Sequence, residues 1–349
     1  MHRLMAGVTI LEHELSELRL LVERQAGILL DCPNSALAAH VAEYLEAHEL
    51  ESLTALFERL GASDQDPAAL PRFLDGILNA NTGFFRHPGA MAALARHAVP
   101  QLYSRKSEEG RCTLRIWSAG CATGEEAYSI AMALCSLLPG GIPNGTTNGA
   151  NGNGKEKEGK EKSSTGRTGG VAENSVPASA QVPKDWSIHI VGSDLLPTSI
   201  EVAERGLYPQ SSLAGLPPAT IRACFSKIGS PSAAPNASLE TPAAPPSVAH
   251  MLVKPRIRSL VTFNTMNLTK PVYIGRFDCI FCMDVLPHLS RAQRTALIER
   301  LHLYLEPGGY LFLSQTEKLS VANLNFRPET FDGYTMHRKP MAASAAYGR

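Results

Sequence analysis

Gly120-Cys-Ala-Thr-Gly124 lies between a short apolar run, Leu114–Ser118, and a segment of helical spacing that begins with Glu125-Glu126. A strand, a glycine turn and a helix start make a nucleotide-type site. Glycine lets the main chain approach a ligand, and the first helical turn offers unpaired N–H groups. The spacing is not the dinucleotide fingerprint, which weighs against a nicotinamide enzyme. Two acids at the helix start would also repel a pyrophosphate. They suit a ligand with cationic and hydroxyl groups, such as S-adenosylmethionine with its α-amino group, ribose and sulfonium. The same acids complement the helix dipole, and the turn by itself leaves both readings open. Asp194 closes the run Ser187–Asp194. An acid at that strand end accepts from ribose hydroxyls in folds of this type. It lies farther along than the ~20 residues usual for that pairing, and the biased insertion before it accounts for the excess. Capping the following helix is its other reading.

Thr82-Gly-Phe-Phe-Arg86 places two aromatics and a guanidinium just after a helical region. Alone, it reads more readily as core phenylalanines, Phe84 and Phe85, followed by a surface arginine than as a hinge packed on the sheet. Cys279 and Cys282 form a C-x-x-C inside a strand, where positions three apart face opposite sides of a sheet. They are therefore not expected to share a metal or a disulfide. The eleven histidines show no ligand spacing, so no metal is expected.

The elements that must position these residues follow from periodicity. Residues 1–78 read as a small helical domain. Thr9 with Glu12 forms a capping box ahead of Leu11, Leu15, Leu18 and Val22. Ser35 opens a second helix, Ser52 a third, and Pro67–Leu78 a fourth. From residue 114 strands alternate with helices. Strands are predicted at Leu114–Ser118, Ser187–Asp194, Val261–Asn264, Phe277–Cys282 and Tyr310–Ser314, with a turn at Glu306–Gly309. Helices are predicted at Glu125–Leu138, Thr198–Gly206 and Ser290–Leu305. The fold class is α/β, with a parallel, doubly wound sheet behind an all-α N-terminal domain.

Two stretches have the wrong composition for a core. Residues 139–184 contain no aromatic residue, are crowded with Gly, Asn, Ser, Thr and alternating Lys/Glu, and are expected to be a disordered insertion. Residues 229–248, rich in Pro, Ala and Ser, are expected to be a low-complexity loop. The 349 residues carry 33 Lys+Arg against 33 Asp+Glu, which argues against nucleic-acid binding by bulk charge. No apolar run reaches the roughly 20 residues of a membrane span. Leu4–Leu11 is a poor secretory segment. Seven scattered cysteines read as reduced thiols of a cytoplasmic protein.

Taken together, these motifs resemble the CheR-type chemotaxis receptor methyltransferases, the protein-glutamate O-methyltransferase family. Thr82-Gly-Phe-Phe-Arg86, Trp117-Ser-Ala-Gly-Cys-Ala-Thr-Gly-Glu-Glu126, Gly192-Ser-Asp194, Asn267-Leu268 and Pro307-Gly-Gly-Tyr-Leu-Phe-Leu313 carry the resemblance. It implies a class I methyltransferase domain over 114–340, with 79–113 as a linker containing the T-x-F-F-R segment. S-adenosyl-L-methionine is then the methyl donor. Thr82, Arg86, Glu126, Asp194, Asn267, Leu268, Asp284 and Val285 would surround it. The implied acceptor is a glutamate on the cytoplasmic helical region of a chemoreceptor or similar signalling protein.

Several positions depart from the family pattern. Arg-Asn-Val-Leu-Ile-Tyr is replaced by Met283-Asp-Val-Leu-Pro-His288, so Asp284 stands for Asn and His288 for Tyr. Ala80 stands for an Asn, Leu196 for the second acid of S-D-x-D, and the Leu37–Tyr44 helix lacks the family's Lys and Arg. A glutamate acceptor is already ionised at neutral pH and needs no general base. Arg86 is expected to hold the acceptor carboxylate or line the transfer site. His288 would serve as base if the acceptor were a hydroxyl or amine. An active carboxyl methyltransferase, a methyltransferase with a changed acceptor, and a degenerate relative that binds without turnover are the competing expectations.

Overall fold

The computed structural model describes residues 10–62, 66–78, 82–137, 186–228, 249–270, 274–319 and 324–341. Thr9, Ala80 and the stretches 139–184 and 229–248 lie outside them. Helices α1 (Glu12–Ala26), α2 (Asn34–Ala47), α3 (Leu53–Gly61) and α4 (Ala69–Asp75) pack their helically spaced apolar residues into one core. Leu15, Leu18, Val22, Leu37, Val41 and Leu56 are at its centre. The start of α1 is closed by Glu14, whose carboxylate accepts from the Leu11 N–H at 2.8 Å. Helix α2 begins at Asn34, one residue before the expected Ser35. Ser52 caps α3 by accepting from the Ala55 N–H at 3.2 Å, a bond worth ~1 kcal/mol in such positions.

Pro88 starts a helical stretch that apolar spacing does not announce. Helices α5 (Pro88–Ala93) and α6 (Val99–Glu108) are joined by a π turn at Leu94–Ala98. Pro100 has no N–H for the ladder, and its ring would strike the carbonyl four residues back. The wider turn just ahead of it relieves both problems.

The remaining chain runs through β1 (Thr113–Ala119), α7 (Glu125–Cys135), β2 (Ser187–Asp194), α8 (Pro197–Arg205), β3 (Leu207–Pro209), α9 (Pro218–Cys224), β4 (Phe225–Ile228) and β5 (His250–Val253). It continues with α10 (Pro255–Arg258), β6 (Val261–Thr265), β7 (Phe277–Phe281), α11 (Arg291–Tyr304), β8 (Leu305–Phe312), β9 (Arg327–Phe331) and β10 (Tyr334–Arg338). Among the described residues, seven strands form one sheet in the order β6-β2-β1-β7-β8-β10-β9. The first five are parallel, and β10 and β9 are antiparallel. Strands β3, β5 and β4 form a small antiparallel sheet that the sequence reading does not anticipate.

Both faces of the large sheet are covered. Leu94, Leu102 and Ile130 share one core with Ile116, Cys279 and Phe281. Leu297, Ile298 and Leu301 of α11 share the other with Trp117, Ile280 and Cys282. Cys279 and Cys282 thus lie in different cores, as their spacing in a strand requires. The expected turn at Glu306–Gly309 is a bulge inside β8, which advances five positions from Leu305 to Tyr310 while β7 advances two from Phe277 to Cys279. Gly308 takes φ +73° and, with Gly309, exchanges main-chain hydrogen bonds with Lys339.

Candidate functional site

In an open parallel sheet, ligands bind beyond the carboxyl ends of the strands, where the strand order reverses. Here that point lies between β1 and β7. A cavity of about 520 Å³ opens there. Thr82, Arg86, Glu126, Asp194, Asn267, Leu268, Asp284, Val285 and His288, the nine candidate residues of the sequence, all line it.

The turn after β1 is fixed by the neighbouring strand. Gly120 and Cys121 donate their N–H groups to the Ser193 carbonyl at 2.8 and 2.9 Å. Gly120 has φ +86°, and a Cβ there would come within 2.5 Å of Val285 Cγ2. A bare backbone is therefore required where the tips of β1 and β7 approach. Asp194 Oδ2 accepts from the Ala122 N–H at 2.9 Å, and Oδ1 accepts from the Leu196 N–H at 3.0 Å. Asp194 thus ties the glycine turn to the end of β2, and part of its hydrogen-bonding capacity is spent on main chain. Burial pushes its pKa up, against the pull of those N–H groups.

Glu126 receives a hydrogen bond from Ser118 Oγ at 2.7 Å. Burial is the largest cause that pushes its pKa from the ordinary 4.5 up to about 7. Ser118 and Arg86 oppose that rise, while Asp284 and Glu317 add to it. Glu125 points elsewhere, accepting from Thr123 Oγ1 at 2.7 Å. The two acids of the turn therefore do different work, and Glu126 is the one that meets the cavity.

Phe85 sits at φ +52°, a left-handed conformation that costs a bulky residue of order 1–3 kcal/mol. Its N–H is held by Ser129 Oγ at 2.9 Å. Phe84 points to the core, edge-on to Tyr208 and Phe225 with ring centroids 4.9 and 5.2 Å away. This kink delivers Arg86 to the cavity, where Nη2 lies 3.3 Å from Asp284 Oδ2. The extra charge of Asp284 is further met by His87, whose Nε2 lies 2.9 Å from the same oxygen. Asp284 has φ +57°, a conformation that Asp and Asn tolerate better than most residues.

Glu317 positions the tip of β7. Its carboxylate accepts from the N–H groups of Leu286 at 2.9 Å, Ser314 at 2.9 Å and Asp284 at 3.3 Å. Neither Glu317 nor His87 is found by sequence reasoning. Their partners are a backbone loop and a side chain 197 positions away, and neither leaves a local pattern.

The far wall comes from the N-terminal helices. Ile28–Cys32, between α1 and α2, lines the cavity with Ile77 and Leu78. Ile28 bridges to Leu289, and the Leu29 N–H donates to the His288 carbonyl at 2.8 Å. Asn267 Nδ2 donates to the Ala26 carbonyl at 3.3 Å, and its Oδ1 accepts from the Thr269 N–H at 2.9 Å. Asn267 is thus partly engaged in holding the two halves of the chain together. The His288 side chain is exposed at the cavity edge. Among the described residues no group of three or more His, Cys, Asp and Glu could hold a metal ion, and no helix is long and apolar enough to cross a membrane.

The family model described as CheR methyltransferase, SAM binding domain, matches residues 80–147 and 174–334. Chemotaxis protein methyltransferase 1 of Pseudomonas aeruginosa is 26% identical over 305 residues, covering 86% of this chain and 89% of that protein. Chemotaxis protein methyltransferase Cher2 of Pseudomonas putida is 26% identical over 310 residues, covering 88% and 90%. Among solved structures, magnesium protoporphyrin IX methyltransferase of Synechocystis with bound SAM aligns over 74% of this chain and 84% of that one. The sequence identity is 14% and the TM-score 0.27.

Proposed function

The chain belongs to the CheR methyltransferase family, and from that premise we propose that this S-adenosylmethionine-dependent methyltransferase esterifies glutamate side chains on the cytoplasmic helical region of a chemoreceptor. The observation that supports the reading is the shared cavity. Arg86, a fixed cation suited to a carboxylate, faces the same space as the acids suited to the donor.

The residues fit the cofactor. Gly120 leaves the strand tip bare, and the acids Glu126 and Asp194 suit a ligand that bears a sulfonium, an ammonium and ribose hydroxyls. In this reading Glu126 holds the α-amino group and Asp194 accepts from the ribose. Asn267, Leu268 and Val285 flank the base, and Thr82 lies beside the methionine part. When bound, S-adenosylmethionine supplies a methyl group on a positively charged sulfur. Arg86 steers the acceptor carboxylate oxygen into line with that methyl. The apolar wall from Ile28 to Leu30 keeps water away. No residue has to remove a proton, because the acceptor arrives ionised.

The test is transfer of a labelled methyl group from S-adenosylmethionine to a chemoreceptor cytoplasmic fragment, followed by mild alkali. Alkali-released label is expected, as for a carboxyl ester. Alkali-resistant label would mean a hydroxyl or amine acceptor, and His288 would then be the candidate base. Calorimetric titration of donor and demethylated product against wild type and Asp194→Ala should show binding that the variant loses.

A further inference from the structure

We propose that His87 is a positioning residue for methyl transfer, holding the Asp284 carboxylate so that Arg86 stays available to the acceptor. The inference rests on the glutamate-acceptor reading above. A carboxylate left alone beside an arginine tends to take both arms of the guanidinium, occupying the donors that a substrate carboxylate needs. Here Asp284 does not do so. His87 Nε2 makes the closer contact to Asp284 Oδ2, at 2.9 Å, and Arg86 reaches the same oxygen through one Nη at 3.3 Å.

The surrounding geometry leaves the choice of partner to the side chain. The Asp284 N–H is held by Glu317, and its backbone is fixed in the left-handed region, so the main chain cannot carry the carboxylate away. His87 is set by its place immediately ahead of Pro88, where α5 begins. The Arg86 side chain is the most exposed of the three, 41% against 24% for His87 and 34% for Asp284, and so the most open to an incoming group. An uncharged asparagine at 284 would exert no comparable pull on Arg86. Asp284 creates the competition, and His87, adjacent to Arg86 in the chain, resolves it.

The experiment is a double-mutant cycle on the full chain, using a chemoreceptor cytoplasmic fragment as acceptor. His87→Ala should raise the acceptor KM about tenfold while the S-adenosylmethionine Kd from calorimetry stays within about twofold. Adding Asp284→Asn should bring the acceptor KM back to within about twofold of Asp284→Asn alone. An unchanged KM in His87→Ala, or an equal rise in both backgrounds, would overturn the proposal. Should His87→Ala fail to fold, His87→Phe takes its place in both backgrounds, with the same rise in acceptor KM expected beside Asp284 and the same absence of a rise beside Asp284→Asn. Wild-type enzyme that gives no alkali-labile label would overturn the acceptor reading, and this inference with it. Label with an uncoupled cycle would overturn only the role of His87.

Discussion

Glu126 carries opposing demands in a single carboxyl group. Its pKa, lifted by burial from 4.5 to about 7, means that the folded protein binds a proton which the unfolded chain has released over that range. Linkage then fixes the sign. The contribution of Glu126 to stability is fully present below pH 4.5 and is lost as pH rises through about 7. Glu126→Gln should therefore flatten the decline in ligand-free Tm over this window, as read by thermal melts. The same ionisation creates the charge that attracts the cationic donor. Wild-type affinity for S-adenosylmethionine should increase as pH passes through about 7, and Glu126→Gln should abolish the increase in calorimetry. Arg86 belongs to the acceptor half of the site. Arg86→Ala is expected to lower turnover by about 10²-fold with donor affinity within about threefold, and turnover equal to wild type would remove it from the mechanism. Glu126 and Asp194 are legible locally because they sit at a helix start and a strand end, where a short motif reports position, while Thr82, Arg86, Asn267, Leu268, Asp284, Val285 and His288 are legible only through the family resemblance. His87 and Glu317 carry neither signal, since a side chain that serves a distant loop leaves no spacing to find.

At the scale of elements, the loop after β7 depends on one side chain. Three N–H groups converge on Glu317, and hydrogen bonds to a charged group contribute roughly 1.5–3 kcal/mol each. Glu317→Ala should lower Tm by roughly 5 °C and raise the donor KM about tenfold, measured by melting and by labelling kinetics. Near-continuous apolar runs locate β1, β2, β6 and β7 to within a residue at each end, because strands buried on both faces have little latitude in composition, whereas β8 begins at Leu305 and not at Tyr310. Two features escaped. The α5–α6 stretch is helical through its burial against the sheet, despite Pro100, and packing of this kind overrides local propensity. The other is the first half of β8, which pairs at Leu305 ahead of the Glu306–Gly309 bulge, so the apolar run from Tyr310 reports only its second half.

For the molecule as a whole, α7 and β2 flank residues 139–184, whose composition offers little apolar surface to bury. Replacing 139–184 with a short Gly/Ser linker is expected to leave both Tm and methyl transfer unchanged. A fall in either would assign the insertion a structural or docking task. The α1–α2 connection has wider reach. Ala26, Ile28 and Leu29 are bonded to Asn267, Leu289 and His288, so the outer bundle supplies one side of the reaction chamber through its own main chain. Gly27, at φ +72° with Thr269 pressed where a side chain would be, leaves that joint no slack. A push on the bundle from outside would therefore be passed through this joint to the wall of the cavity that Ile28–Cys32 build.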